Sequence, residues 1–399
     1  MQSSCIAAVV GLAQMAGSIP PSASPDEIKA LEASLAADAA AASVAATSPR
    51  GTSTGGAVAA GPALDLALIL DVAGAWFSDP APVQGGGHDP SGTGFTFQQL
   101  ELSAGASVDP FLRFDSNLVF TAFGVEVEEA YATATALPAG LQLRAGQFLT
   151  RFGRVNSTHP HAWRFLDQTL MVGRMFGSEG NRGLGAEVSW LTPLPWFVEL
   201  TASGIEGGGE CCAKSHATPE ALAIETPLDL VATATLDQFF ALSPSLSLLW
   251  GVSFQTGPNA SGKDNRTDLY GTDLLLRWKP VGNPNRLAVN WESEWVHRRA
   301  QVPRALLSDD AGYTQVVGQW TPEWGSGLRA EYASAAPSDA LATRAARHRL
   351  SAQATYSPSH FSRLRLQLNG DDVPTLTDPV LGVMLGLEVI TGSHGSHAY

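Results

Sequence analysis

The sequence predicts an all-β protein, a closed barrel of sixteen antiparallel strands that crosses a lipid bilayer and carries an in-folded constriction loop. Three observations support this prediction. From residue 63 onward apolar and polar side chains alternate with a period of two, short proline-containing turns recur, and aromatic residues flank those turns. Strands place successive side chains on opposite faces, so each alternating segment has one apolar face and one polar face.

Alternation is clearest in three segments, near the start, in the middle and near the end of this region. Their apolar faces consist of Leu64, Leu66, Leu68, Leu70, Val72 and Trp76; of Leu287, Val289, Trp291 and Trp295; and of Leu364, Leu366 and Leu368. A last segment repeats the pattern at Leu381, Val383, Leu385, Leu387 and Val389, and Tyr399 ends the sequence on the same parity. Each segment therefore fits a strand with apolar surroundings on one side only.

Turn signals divide this region into strand pairs. The short turns lie at 109–110, 137–140, 192–195, 243–245, 280–284, 321–323 and 357–359, and the longer polar connections at 79–94, 150–183, 205–226, 256–267, 299–311, 334–346 and 370–378. Seven short turns join seven strand pairs, and a first and a last strand bring the number to sixteen. The barrel domain is predicted to span residues 63–399.

The strand pattern indicates a bilayer rather than water around the barrel. Hydrocarbon offers a backbone no hydrogen-bond partner, so a sheet in a bilayer must close on itself. An even strand number, short turns at one rim and long loops at the other are typical of outer-membrane barrels. Aromatic residues beside the short turns fit a girdle at the headgroups: Phe111, Trp190, Trp196, Phe239, Phe240, Trp278, Trp320, Trp324, Tyr356 and Phe361. We expect the outer membrane of a Gram-negative bacterium, with its lipid as a partner; a soluble β-sandwich is the alternative.

Composition excludes several other classes. Charged residues make up 16 % of the 399 residues and the net charge is −14, which argues against nucleic acid as a partner because phosphate neutralisation needs a basic surface. Beyond the first twenty or so residues no apolar run approaches the length of a transmembrane helix. The three cysteines, Cys5, Cys211 and Cys212, form neither a disulfide framework nor a CxxC metal pair.

The N-terminal region is predicted to lie outside the barrel. An apolar run from Cys5 to Gly17, followed by small residues near Ala23, has the form of a signal peptide over residues 1–23. Residues 24–62 combine a short helical stripe with an Ala-, Gly- and Ser-rich low-complexity linker. We expect this part to be a periplasmic segment that precedes the barrel.

The long connection at 150–183 carries the candidate functional residues. Its five arginines, Arg151, Arg154, Arg164, Arg174 and Arg182, outnumber its acids, and Arg144, Arg329, Arg349, Arg363 and Arg365 extend the basic track along the inner wall. A confined arginine cluster attracts anions and makes bidentate contacts with phosphate. Two alternatives stay open: the arginines pair with inward acids such as Glu126, Glu128, Glu292 and Glu294, or the total charge of −14 favours cations.

Histidines offer a metal-binding alternative. His159 and His161 have one residue between them, and His394 and His397 lie three apart, spacings at which two imidazoles can share a transition-metal ion. Solvated or hydrogen-bonded histidines are the simpler interpretation. No Ser/His pair stands out at the parity that hydrolytic chemistry would need, so we expect neither an enzyme nor a cofactor.

Several stretches are similar to proteobacterial outer-membrane proteins related to the phosphate-selective porins O and P. They are the segment from Leu143 to Phe148, the segments Phe152 to Asn156 and His159 to Trp163, and the stretch from Ser357 to Gln367. Some members are labelled zinc-regulated TonB-dependent outer membrane receptors, but residues 24–62 are too few for the plug domain of such a receptor.

The resemblance implies a sixteen-stranded porin-like barrel. Together with the arginine-rich loop, it leads us to expect a channel for passive diffusion of small hydrophilic solutes, with a weak preference for anions such as phosphate. Sixteen-stranded porins are habitually trimeric, so we also expect a homotrimer. A zinc-linked uptake protein is the alternative function.

Overall fold

The computed structural model describes residues 64–80, 83–122, 124–207, 212–216, 224–262, 264–282, 287–335 and 346–392. The predicted signal peptide and periplasmic segment lie outside the described residues, as do Cys211, His394, His397 and Tyr399.

Sixteen strands make up most of the described chain. They are β1 Leu64–Phe77, β2 Gly94–Ser107, β3 Leu112–Thr121, β4 Gly124–Ala134, β5 Leu141–Leu149, β6 Arg182–Leu191, β7 Phe197–Ile205, β8 Val231–Ser243, β9 Leu246–Pro258, β10 Arg266–Trp278, β11 Ala288–Val302, β12 Ala305–Gln319, β13 Trp324–Ala333, β14 Arg347–Ser359, β15 Ser362–Asp372 and β16 Val380–Gly392. One short helix, α1 (Leu170–Met175), lies in the connection between β5 and β6, and single 3₁₀ turns occur at Pro138–Gly140, Pro160–Ala162 and Pro227–Asp229.

The strands form a closed antiparallel barrel. Each strand pairs with its neighbours along the chain, and β1 closes the cylinder by pairing with β16, where Leu70 lies opposite Val389. The predicted sixteen-stranded architecture is therefore confirmed. Within the part of the chain that the structure describes, no helix is long and apolar enough to span a bilayer.

The period-two alternation separates an apolar outer face from a polar inner face. In β15, Leu366 and Leu368 are 45 % and 50 % exposed, whereas the alternating residues Arg365 and Gln367 are 4 % and 0 % exposed. Closure pairs every strand on both sides, and the exposed apolar side chains then need hydrocarbon around them. The barrel is a transmembrane barrel.

The predicted turns and the aromatic rim also agree with the structure. Short connections join consecutive strands at one end of the barrel, at or beside the predicted positions. The predicted turn at 357–359 lies within β14, and the chain turns at 360–361 instead. The aromatic residues beside the turns are mostly exposed, with Trp320 and Trp324 at 51 % and 53 %. Trp324 lies against Tyr356 with ring centroids 4.7 Å apart. Amphipathic rings at this level suit a headgroup boundary.

The predicted loop at 299–311 is wrong. The barrel's longest strands, β11 and β12, run through this region and are joined at residues 303–304, where Arg304 has a φ of 73°. The charged residues of region 299–311 resemble those of a solvent-exposed loop, but Asp309 and Asp310 pair with side chains of the neighbouring strand. Arg298 lies opposite Asp309 and donates to both its carboxylate oxygens, at 2.7 and 2.6 Å.

The barrel interior is partly filled by the connection between β5 and β6. One apolar cluster joins Phe152 and α1 to inward side chains of β10 to β13, such as Leu269 and Tyr313. A second joins Leu166 to β1 and β16 through Phe77 and Met384. The predicted in-folded loop is therefore present, packed against one side of the lumen.

Candidate functional site: the constriction loop and the lumen wall

The constriction loop, residues 150–181, leaves the end of β5 and turns into the barrel. Near its start Gly153 N–H donates to Ser253 Oγ of β9 at 2.9 Å, and the N–H groups of Arg154 and Val155 donate to Glu294 of β11 at 3.3 and 3.2 Å. Gly153 has a φ of +61°, and a Cβ there would lie 1.7 Å from Glu294 Oε1, so this close approach requires glycine.

Helix α1 forms in the loop because its sequence caps and buries one short turn. Thr169 precedes it and accepts a hydrogen bond from Val172 N–H at 3.4 Å. Met171 and Met175 are fully buried within the barrel. Leu170 N–H donates to Glu331 of β13 at 2.6 Å, which fixes the start of the helix to the wall.

Asp167 is the strongest anchor of the loop. Its carboxylate receives Arg329 of β13 and Arg349 of β14, the latter at 3.0 Å, together with the amides of Gln367 and Asn369 of β15 at 2.7 and 2.8 Å. All five side chains are buried. Burial alone would raise the pKa of Asp167, but the two guanidinium groups outweigh it and hold that pKa below its usual range.

Two further wall arginines hold the backbone of the loop. Arg363 donates to the carbonyl oxygen of His161 at 2.5 Å, and Arg365 donates to those of Trp163 and Phe165 at 3.1 and 3.2 Å. Both arginines also pair with Glu388 of β16. The predicted basic track on β13 to β15 thus lies beneath the loop and contacts it directly.

Arginines near the start of the loop are more accessible. Arg151 pairs with Glu187 at 3.2 Å and Glu199 at 3.0 Å, and Arg154 pairs with Asp273 at 3.3 Å. The side chains of Arg151 and Arg154 are 33 % and 23 % exposed, whereas those of Glu187 and Asp273 are each 2 % exposed. In each of these two pairs the arginine side chain is therefore the more accessible partner.

The remaining predicted arginines are distributed around the loop. Arg174 of α1 pairs with Asp309 at 3.2 Å and is 21 % exposed, and Arg144 pairs with Glu187 at 2.9 Å. Arg182 is buried against Glu126, whose side chain is 46 % exposed. Arg164 is half-buried, and its carbonyl oxygen accepts a hydrogen bond from Gln353 at 2.5 Å.

His159 and His161 meet glutamates of β2 and β4. His159 Nδ1 lies 2.8 Å from Glu128 and its Nε2 lies 2.9 Å from Glu129, while His161 Nδ1 lies 2.8 Å from Glu101. The imidazole rings stack with centroids 5.7 Å apart. Burial alone would lower the pKa of His159, but the neighbouring carboxylates outweigh it and raise that pKa well above its ordinary value.

A second connection, between β1 and β2, also enters the barrel, and sequence reasoning missed its role. His88 is buried, with Nδ1 3.1 Å from Gln98 O and Nε2 3.2 Å from Glu179 of the constriction loop. Asp89 accepts hydrogen bonds from Gln168 N–H at 2.8 Å and Gly86 N–H at 2.9 Å. The signal was the run Gly85-Gly86-Gly87 before His88 and Asp89, since glycines permit close backbone approach.

A third connection reaches the same place. Ala213 and Lys214 donate backbone hydrogen bonds to Gly180 and Phe176 of the constriction loop at 3.0 and 2.9 Å. Ser215 Oγ donates to Met175 O at 2.5 Å. The buried face of the constriction loop thus contacts two other connections as well as the barrel wall.

Comparison with known proteins extends the fold assignment. No family model matches the chain. A protein of Aquifex aeolicus (strain VF5), described only as uncharacterized, is 29 % identical over 339 residues, which cover 77 % of this chain and 70 % of that protein.

Solved structures with a similar fold are outer-membrane barrels. Salmonella typhi OmpF, in complex with daunomycin, has a TM-score of 0.55 at 10 % identity over 83 % of this chain and 98 % of its own. The anion-selective porin from Comamonas acidovorans has a TM-score of 0.53 at 11 % identity, over 83 % of this chain and 100 % of its own. OmpT of Vibrio cholerae, as expressed in the outer membrane, has a TM-score of 0.52 at 10 % identity, over 84 % of this chain and 99 % of its own. At these identities the likeness concerns the fold. Together with the apolar outer face, this fold is that of an outer-membrane barrel of the Gram-negative type, as the sequence predicts.

Proposed function

We propose that the protein is a passive outer-membrane channel for small hydrophilic solutes, without covalent chemistry. The observation that carries this proposal is the unequal covering of the lumen wall. Along β13 to β15 the inward side chains are buried under the constriction loop. By contrast, one inward charged group on each of β3, β4 and β7 stays accessible. Arg113, Glu126 and Glu199 are 43 %, 46 % and 26 % exposed. A polar lumen with one constricting loop suits unassisted permeation.

A weak preference for anions, phosphate included, is the finer part of the proposal. It is supported by the orientation of two ion pairs, because Arg151 and Arg154 are far more exposed than Glu187 and Asp273. The opposite orientation of the pair between Arg182 and Glu126 limits the preference. Guanidinium groups bind phosphate in bidentate geometry. We therefore expect phosphate to be among the anions that permeate.

Single-channel recording in a planar bilayer tests the proposal. We expect discrete conductance steps and a reversal potential slightly on the anion side in a potassium chloride gradient, with a similar sign in potassium phosphate. The double variant Arg151→Gln with Arg154→Gln should move the reversal potential toward cations. Its matched control, Glu126→Gln, should move it toward anions.

Two outcomes would contradict separate parts of this proposal. Folded protein that passes no current would refute the channel. A wild-type reversal potential on the cation side would refute the anion preference and leave the channel standing.

A homotrimer is proposed alongside the channel. In-vitro folded OmpT of Vibrio cholerae is described in a trimer form, and its barrel has a TM-score of 0.50 to this one. Mass photometry of the protein in detergent should give three chains per particle, and a monomer mass would contradict the proposal.

Zinc-linked uptake is the second candidate, favoured by the meeting of His159 and His161 with glutamates. These histidines are buried between the loop and the wall, His161 at 2 % exposure, rather than at the accessible side of the lumen. That position suits a resident ion better than a transported one. Zinc influx into vesicles that exceeds the influx of an uncharged sugar of similar size would favour uptake instead.

A further inference from the structure

A buried cluster of imidazole and carboxylate groups lies where the constriction loop meets β2 and β4. We propose that Glu101, Glu128, His159 and His161 form a binding site for a divalent first-row transition-metal ion that fastens the loop to the barrel wall. The proposal goes beyond the channel function and does not depend on permeation.

The donor atoms of the cluster lie close together. One ligand atom each from Glu101, Glu128 and His159 lies within 4.8 Å of the others, and His161 Nδ1 lies 2.8 Å from Glu101. Four ligands at ~2.0 Å in a tetrahedron lie roughly 3.3 Å apart. To admit an ion, the 2.8 Å contacts would open by about 0.5 Å and the longer separations, which reach up to 4.8 Å, would close.

The donor set defines the class of ion. Two imidazole nitrogens and two carboxylate oxygens suit zinc and its first-row neighbours, whereas calcium and magnesium prefer oxygen ligands throughout. Glu129 completes the arrangement, because its carboxylate lies 2.9 Å from His159 Nε2. Metal-binding histidines commonly donate their second N–H to a carboxylate, which leaves the other nitrogen, here Nδ1, for the metal.

The local structure of β4 produces this arrangement. The pairing of β3 with β4 shifts register between Asn117 and Leu118, so that Asn117 lies opposite Glu129 and Leu118 lies opposite Val127. Glu128 is the extra residue of this bulge, and both Glu128 and Glu129 are buried on the inner side. Bulges re-aim side chains and recur next to functional sites.

The charges of the cluster are compatible with a bound cation. Three buried carboxylates, those of Glu101, Glu128 and Glu129, face two imidazoles. The first two glutamates are 1 % and 4 % exposed. Carboxylates excluded from water require compensation by hydrogen bonds, cations or metal ions. A divalent ion that displaces the two imidazole protons would supply the same compensation with a single charge centre.

A bound ion would connect three elements that are separate in sequence. His159 immediately precedes the 3₁₀ turn Pro160–Ala162 of the loop, and His161 lies within it. Glu101 belongs to β2 and Glu128 belongs to β4. Asp167 anchors the loop to β13, β14 and β15. The metal site on β2 and β4 would therefore hold the loop at a second position on the wall.

The experiment measures binding of zinc to the full chain, folded in detergent and stripped of metal. Isothermal titration should give one Zn²⁺ per chain, and Co²⁺ should give the visible absorption of a four-coordinate site with nitrogen and oxygen ligands. Zinc should also raise the melting temperature. His159→Ala with His161→Ala, and separately Glu128→Gln, should weaken zinc binding at least tenfold.

Two histidine variants that spare the proposed ligands serve as controls. His297→Ala removes a histidine that pairs with Asp310 at 2.8 Å, and it should leave the titration unchanged. The variant His394→Ala with His397→Ala should do the same. Each variant is first checked for the heat-sensitive electrophoretic mobility of a folded barrel.

The outcomes separate the possibilities. Wild-type protein that binds no stoichiometric zinc would overturn the proposal, as would unchanged binding in the folded cluster variants or loss of binding in the terminal variant. The cobalt spectrum of the wild type decides the matter if the cluster variants fail to fold, because a six-coordinate spectrum contradicts the proposed ligand set. None of these readouts involves ion current, so failure of the site and failure of the channel are distinguishable.

Discussion

The two sides of the lumen use the same ion-pair chemistry in different surroundings. At the covered wall, β13 to β15, the side chains of Arg349 and of its loop partner Asp167 are 1 % and 0 % exposed. On the accessible wall, Glu126 and Glu199 are 46 % and 26 % exposed. Loss of one partner of a buried ion pair is strongly destabilising, because it leaves the other charge buried and uncompensated. Exposed ion pairs contribute little to stability. The covered wall therefore holds the loop, and the accessible wall is free to meet solutes.

The largest expected effect is that of Asp167→Ala on the covered wall. The substitution removes the shared partner of Arg329 and Arg349 and leaves two buried guanidinium groups with fewer acceptors. We expect a loss of about 3–5 kcal/mol in the free energy of unfolding. Urea unfolding in detergent, followed by tryptophan fluorescence, measures it.

Asp167→Asn serves as the matched control because it retains size and one carbonyl acceptor while removing the charge. The free energy of unfolding of Asp167→Asn should lie between those of the wild type and Asp167→Ala. A loss below about 1 kcal/mol for Asp167→Ala would mean that the covered wall behaves like an exposed surface.

The contact between His88 and Glu179 gives the covered side a pH dependence. Burial alone would lower the pKa of His88, but the hydrogen bond and charge of Glu179 outweigh it and raise that pKa to about 9. Because the folded pKa exceeds the usual 6.5, the stabilisation is complete below pH 6.5 and is lost as the pH rises through about 9. The shift corresponds to at most about 3 kcal/mol.

Melting temperatures between pH 6 and pH 10 measure this effect. His88→Gln should remove most of the alkaline loss, and an unchanged alkaline loss in that variant would assign it to other groups. Asp167 should behave in the opposite way. Its pKa is lowered, so its anchoring persists above its usual 3.8 and is lost only as the pH falls through the lowered pKa.

Packing between the loop and β16 gives a smaller effect. A Cβ added at Gly386 would lie 2.2 Å from Leu166 Cδ2, so Gly386→Ala forces the buried Leu166 side chain of the loop to shift. We expect a loss of roughly 1–3 kcal/mol from overpacking. Combining it with Leu166→Ala should recover part of that loss in a double-mutant cycle.

Gly204→Ala is the control for placing alanine in a strand, because its Cβ would meet nothing closer than Leu230 Cδ1 at 3.6 Å. It should change stability by less than about 1 kcal/mol. Equal losses for Gly204→Ala and Gly386→Ala would show that the contact with the loop is not the cause.

The sequence predicts the barrel better than it predicts the partners inside it. Period two and the proline turns depend on local chemistry, so the strand number and the short-turn rim are readable from the residues alone. The partners of Asp167 come from three strands that begin more than 150 residues later, and no local pattern encodes that convergence.

Glu101 shows a similar limit. Its inward parity between Leu100 and Leu102 was visible in the sequence, but its contact with His161 depends on the path of the loop. The bulge that turns both Glu128 and Glu129 inward likewise depends on strand pairing rather than on either sequence segment alone. The failed loop at 299–311 is the reverse case, in which charges read as solvent-exposed pair across two long strands.

The smallest stability effect, and a selectivity effect, are expected for Glu199→Gln on the accessible wall. Its carboxylate is one of two that pair with Arg151, at 3.0 Å, and the pair is well exposed. Stability should change by less than about 1 kcal/mol, since water compensates both groups. Arg151 retains Glu187 but gains net positive potential toward the lumen, so the reversal potential should move toward anions. A stability loss as large as that of Asp167→Ala would remove the distinction between the two walls, because it would mean that this pair is also held away from water.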